Sequence, residues 1–126
     1  MKKFTSPSQK LGKIGEDIAC KYLVNKGYFI IERNFTLKCG EIDIVASKGS
    51  EIRFVEVKAI RYNDGASLIK PEENVHSNKI KKLAKACLIY ADTHKIIDRE
   101  WQIDVVAIEY DADRKVAYVR HHECVY

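Results

Sequence analysis

Glu41, Asp43, Glu56 and Lys58 stand among Ile42, Ile44, Val45, Phe54, Val55 and Val57 in the stretch GEIDIVASKGSEIRFVEVK, residues 40–58. Charged side chains are rarely buried fully unless they are paired or bound to a metal. Such a pattern supports two readings, a solvated strand face or a metal site. The apolar residues form two runs around SKGS, the pattern of a β-hairpin. With Gly49-Ser50 as a type II′ turn, Asp43 faces Glu56, Glu41 faces Lys58 and Val45 faces Phe54, while Ile44 faces Val55 and Ile42 faces Val57. A slip of one residue would set apolar side chains against charged ones, so the pattern selects its own register.

In that register the four charged groups gather at one end of one face. Opposed side chains have β-carbons about 4.5–5.5 Å apart, and two carboxylates so close repel unless a cation lies between them. Carboxylate oxygens suit a hard divalent ion such as Mg²⁺ or Mn²⁺, with Asp43 and Glu56 as ligands and the carbonyl of Val57, between Glu56 and Lys58, as a third. Lys58 would orient a water and offset charge developing on a phosphate. The other reading is a surface ladder in which Lys58 pairs with Glu41.

These strands need a scaffold. Leu11, Ile14, Ile18 and Tyr22 recur at helical spacing, widened by Ala19 and Leu23, with Ser8 as the expected N-cap and Gly27 as the stop. Gly15 falls within that stripe and Glu16 at its edge. A glycine inside a helix costs about 1 kcal/mol against alanine. It is best tolerated where the helix backbone comes close to another layer, which would let Glu16 reach the charged corner; otherwise Glu16 is a boundary residue. YFIIERNF then reads as a strand. Residues 60–77 read as a long loop, with a turn at Asn63-Asp64-Gly65 and with Pro71 against regular structure. A second helix is expected from about Ser77 to Thr93, with the stripe Ile80, Leu83, Ala84, Cys87 and Ala91. WQIDVVAIEY and KVAYVRHH supply two more strands. The expected fold is α/β, a five-stranded mixed sheet between helices in three α/β/α layers.

Composition sets the frame. A chain of 126 residues, 46% hydrophobic and 32% charged, suits one globular domain, with a core over about residues 9–120. A net charge of +4 is compatible with a polyanionic partner without requiring one. Cys20, Cys39, Cys87 and Cys124 form no CxxC pair and read as reduced packing thiols of a cytoplasmic protein. No apolar stretch has the length of a signal peptide or of a membrane span. P-loop, nucleophile-elbow and dinucleotide fingerprints are absent.

Further candidates lie outside the hairpin. Arg61 and Lys70 in the loop, with Lys79 and Lys81 on the second helix, are candidate phosphate contacts, whereas Lys82 fits a solvated helix face. Tyr62 has the chemistry to stack on a base. His121 and His122, with Cys124, form a tail cluster, but adjacent histidines point to opposite strand faces, a poor joint metal site, and terminal disorder or edge-strand packing is the expectation. Asp104, alternating with Ile103 and Val105, is expected to make a structural hydrogen bond near the second helix.

Asp43 followed by Glu56-Val57-Lys58 on the next strand resembles the PD-(D/E)xK nuclease core. GKIGEDIACKYLVNKGYFIIERNF, GEIDIVA, FVEVK and IDVVAI, in that order over roughly residues 9–110, are similar to the YraN family of predicted endonucleases. That family is related in pattern to archaeal Holliday-junction resolvases. The resemblance implies a restriction-endonuclease-like fold, with Asp43 and Glu56 as metal ligands, Lys58 as the catalytic lysine and Glu16 as the acidic residue carried on the first helix. Glu41 would be an outer acid. Ile42 stands where restriction enzymes proper carry proline, a departure usual in YraN-like chains. The expected activity is metal-dependent hydrolysis of phosphodiesters in nucleic acid, with DNA as the expected substrate, branched DNA included, and Mg²⁺ or Mn²⁺ as the cofactor. A homodimer is a further expectation. The alternative is a catalytically silent module that binds nucleic acid or a partner on the same fold.

Overall fold

Ser6 starts the first helix. Its Oγ accepts the Gln9 N–H at 3.1 Å, and Gln9 Oε1 accepts the Ser6 N–H at 3.2 Å, with Pro7 in the first turn. This reciprocal box satisfies two otherwise orphaned donors, so the cap is Ser6 rather than the expected Ser8. The computed structural model describes residues 6–62 and 77–126. Their order is α1 (Pro7–Asn25), β1 (Phe29–Leu37), β2 (Gly40–Lys48), β3 (Glu51–Arg61), α2 (Ser77–Thr93), β4 (Trp101–Asp111) and β5 (Val116–His122). The sheet runs β1-β2-β3-β4-β5, antiparallel except between β3 and β4, which are parallel and joined through α2. Residues 63–76 lie outside the described residues, and with them the expected Asn63-Asp64-Gly65 turn, Pro71 and Lys70. Ile60 and Arg61, expected in that loop, continue β3 opposite Glu109 and Tyr110.

Each helix covers one sheet face. Leu83, Ala84, Cys87 and Tyr90 of α2 pack with Ile42, Val45, Phe54 and Ile103, and Ala19 and Leu23 of α1 with Ile44, Val55, Val106 and Ile108. The α/β class and the mixed five-stranded sheet are as expected, and are consistent with a restriction-endonuclease-like fold. The buried face of α1 is rotated from the expected stripe: Gly15, Glu16, Ala19 and Leu23 are buried, while Ile14 remains exposed. Gly15 causes the rotation. A β-carbon there would lie 2.5 Å from Ala59 Cβ, so only glycine lets this side of α1 settle on β3. Among the described residues no helix is long and apolar enough to cross a membrane.

The hairpin has the expected register from Lys48↔Glu51 to Ile44↔Val55, around a Gly49 whose φ of +62° suits the first turn position. There the ladder ends. Ile44 packs on the α1 side but Ile42 on the α2 side, although residues two apart in a regular strand share a face. The neighbouring strand changes in step: Arg33, opposite Ile44, meets α1, whereas Phe35, opposite Ile42, joins the α2 cluster. Between them Asn34 takes a left-handed φ of +54°, across from Asp43. Asparagine tolerates that conformation better than most residues. The sheet is locally re-aimed at this point.

Candidate functional site

The re-aimed backbone parts β2 from β3, and Asp43 fills the gap. Instead of opposing Glu56 in the ladder, its Oδ2 accepts the backbone N–H of Val57 at 2.8 Å. A cavity of about 200 Å³ opens beside it, lined by Glu16, Asn34, Glu41, Asp43 and Val57 together with Gln9, Gly12 and Lys13. Two candidates from distant positions therefore meet, Glu16 from α1 and Asp43 from β2. Gly15 makes the approach possible. Glu16 is held by two residues that sequence reasoning missed: its Oε1 accepts from Arg33 Nε at 2.9 Å and Asn34 Nδ2 at 2.8 Å. A signal was present in ERNF, where arginine and asparagine interrupt an apolar strand.

Glu56 lies on the other side of the gap. It is 5% exposed, and its Oε1 forms an ion pair with Lys79 Nζ of α2 at 2.8 Å. The expected pairing of Asp43 with Glu56 is thus not a ladder pair: the register ends at Ile44↔Val55, and Asp43 bonds the Val57 N–H while remaining within reach of the Glu56 charge. Lys58, two residues beyond Glu56, is partly buried on β3 and does not line the cavity. Arg61 lines a separate groove with Pro7, Lys10, Leu11, Ile14, Tyr110 and Ala112. Lys81 is exposed on α2. Tyr62 packs against Tyr118, with ring centroids 4.8 Å apart.

The electrostatics express the crowding. Burial foremost, then the charge of Glu56, pushes the Asp43 carboxyl up to about 8 against the lowering pull of the Val57 N–H, with Glu16 and Glu41 adding to the rise. Burial draws the Lys79 ammonium down, but its bond to Glu56 prevails and holds it above its ordinary value. A carboxylate surrounded by carboxylates is short of positive charge. Asp43, Glu56 and the Val57 carbonyl are hard oxygen donors, a set that fits Mg²⁺ or Mn²⁺. Asp104 departs from its expected place. It bonds not toward α2 but to Gln102, His121 and the Cys124 N–H, beside Tyr22 of α1.

An α/β sheet carrying helix- and strand-borne acids around a parted hairpin defines the class of protein to which the chain is similar. The model of the Uncharacterised protein family UPF0102, the YraN family, matches residues 15–108, and the chain belongs to that family. A UPF0102 protein of Geotalea uraniireducens is 40% identical over 114 residues, covering 90% of this chain and 87% of the relative. One of Alkaliphilus metalliredigens is 37% identical over 114 residues, covering 90% and 97%. Another, of Syntrophomonas wolfei, is 43% identical over 101 residues, covering 80% and 85%. These names state no activity.

Proposed function

We propose that the protein is a metal-dependent phosphodiesterase acting on nucleic acid, with DNA as the substrate and branched DNA included. The observation that carries this reading is the Asp43 carboxylate. It is anchored by the Val57 N–H, opens to the cavity with Glu16, and feels the charge of Glu56 across the parted strands. Asp43, Glu56 and the Val57 carbonyl would hold Mg²⁺ or Mn²⁺, which when bound acidifies a water and neutralises charge on the scissile phosphate. Glu16, fixed by Arg33 and Asn34, would accept hydrogen bonds from waters in the cavity. Lys58, following Val57 on the same strand, would orient the attacking water. Lys79 neutralises Glu56 now and would move to a substrate phosphate once Glu56 is engaged. Arg61, Lys81 and Lys70 would contact the backbone farther out, the last from outside the described residues.

A second reading is favoured by the Lys79–Glu56 pair: a binding module whose acid is permanently neutralised and which cuts nothing. One experiment separates the two. Single-stranded, duplex, flap and four-way-junction DNA, and a matching RNA, are incubated with Mg²⁺, Mn²⁺ or EDTA and the wild-type, Asp43→Ala or Lys58→Ala protein. Metal-dependent cutting lost in both variants is expected, and the preferred shape names the substrate. No cutting under any condition, with folded protein that still binds DNA, overturns the nuclease reading and leaves the module.

A further inference from the structure

We infer that Asp104, His121 and Glu123 form a second metal site, suited to a zinc-class divalent ion, that fastens the C-terminal segment to β4. The inference is independent of the nuclease reading. One nitrogen of His121 and one carboxylate oxygen from each of Asp104 and Glu123 lie within 4.8 Å of one another. This is the cluster of that kind among the described residues, and it faces the α1 side of the sheet, whereas Glu56 faces α2. Of the two adjacent histidines only His121 takes part, as expected for neighbours on opposite strand faces.

Two of the three donors are already fixed. Asp104 has no exposed surface; its Oδ1 accepts from Gln102 Nε2 at 2.7 Å and from the Cys124 N–H at 2.9 Å. Its Oδ2 lies 2.8 Å from His121 Nε2. The other ring nitrogen, Nδ1, lies 3.2 Å from the Tyr22 hydroxyl, and the imidazole packs edge-on against Tyr22 with centroids 5.5 Å apart. Outer hydrogen bonds of this kind set the orientation of metal-binding imidazoles and carboxylates. The third donor, Glu123, is exposed and leaves a path for entry.

The donor chemistry selects the ion. An imidazole nitrogen N–H points at one oxygen, whereas a divalent cation attracts all three donors at once. Imidazole with carboxylates suits zinc and its neighbours rather than magnesium. Zinc bonds of about 2.0–2.2 Å at tetrahedral angles place ligand atoms about 3.3 Å apart. The His121–Asp104 contact therefore needs to lengthen by only about half an ångström. Arg53 also acts on Asp104 electrostatically, but its Nη2 is engaged by Glu51 at 2.7 Å. The segment has a reason to be fastened there. Cys124 has φ +54°, and the chain bulges before Val125 donates to the Ile103 carbonyl at 2.8 Å and Tyr126 accepts from the Ile103 N–H at 3.2 Å. A metal on Glu123 would lock that bulge.

The test uses the whole chain freed of metal, with Zn²⁺ followed by calorimetry and Co²⁺ by its visible d–d absorption. Each ion is expected to bind the wild type with one equivalent at this site, over and above any bound at Asp43 and Glu56, raising its Tm. His121→Asn and the exposed Glu123→Gln should each weaken binding by about tenfold or more, while His122→Asn, Cys124→Ser and Asp43→Asn leave it unchanged. Glu123→Gln keeps the test informative if the His121 variant folds poorly. No binding by the wild type at about 100 µM Zn²⁺, far weaker than a built zinc site, overturns the inference. So does binding that survives Glu123→Gln, or binding that is lost with Cys124→Ser or Asp43→Asn.

Discussion

Asp43 and Asp104 are acids on neighbouring parts of one sheet, and they live in opposite company. Asp104 accepts from a side-chain amide, a backbone N–H and an imidazole, so each of its oxygens has a partner. Asp43 accepts one backbone N–H and otherwise faces mainly the charges of Glu56, Glu16 and Glu41, with the Lys79 ammonium, already paired to Glu56, within electrostatic reach. Burial of a carboxylate is tolerable when hydrogen bonds replace its water, and becomes a liability when its neighbours carry the same sign. The difference separates an acid whose charge is met by hydrogen bonds that fasten the C-terminal segment from one whose charge is crowded by its own sign. Sequence alone shows two aspartates, each flanked by isoleucine and valine or isoleucine.

The comparison is broken most forcefully by activity. Asp43→Ala or Glu56→Ala should lower metal-dependent DNA cleavage by roughly 10²–10⁴-fold, a loss of several kcal/mol in barrier lowering, while Asp104→Asn leaves the rate of the folded protein near wild type. Cleavage assays on junction and duplex DNA check this, and equal losses at both aspartates would erase the distinction. Stability should respond in the opposite sense. Asp104→Ala strands Gln102, His121 and the Cys124 N–H, and is expected to cost about 3–5 kcal/mol in urea unfolding.

Asp43→Asn should instead stabilise the metal-free protein. Its carboxyl is near 3.8 when unfolded and about 8 when folded, so the native state binds the extra proton between these values. Stability from this group is therefore lost as pH rises from about 4 to 8. Asparagine retains an acceptor for the Val57 N–H and removes that slope. A Tm gain of roughly 5–10 °C at pH 8, fading toward pH 4, is the expected result in thermal melts without metal. Added Mn²⁺ should raise the Tm of wild type and not of the variant. The smallest effect belongs to Lys79→Ala. Its half-exposed ammonium limits what the pair with Glu56 can contribute, so Mn²⁺ affinity without DNA should rise by only about two- to fivefold. DNA binding should weaken alongside, and calorimetry with and without DNA separates the two effects.

Much of this arrangement was legible beforehand, for reasons that differ residue by residue. The hairpin register followed from the period-two pattern, because a slip would have placed Asp43 against an apolar partner. The close approach at Gly15 followed from a glycine standing in an apolar helical stripe, and the contact with Ala59 is the result. The end of the ladder at Ile44↔Val55 was not legible, since it depends on Asn34 adopting a left-handed conformation in the neighbouring strand. Nor were the partners of Glu16 and Glu56, or the His121 partner of Asp104, which come from other elements. The expected cap Ser8 gives way to Ser6 for a local reason: Gln9 completes a capping box with Ser6 and cannot do so with Ser8.

Local pattern determined the elements, their order, the hairpin register and the family, because periodicity, turn chemistry and motif order are all written within short stretches of chain. Tertiary structure decided which acids meet. Helix α1 rotates about Gly15 to bring Glu16 beside Asp43, the sheet turns over at Asn34 and Asp43, and Lys79 of α2 closes on Glu56. Charge–charge contacts act through space over a few ångströms and leave no period in the sequence, so only the packing of the layers could assign one buried aspartate to the core's hydrogen bonds and the other to a crowded, cation-seeking corner.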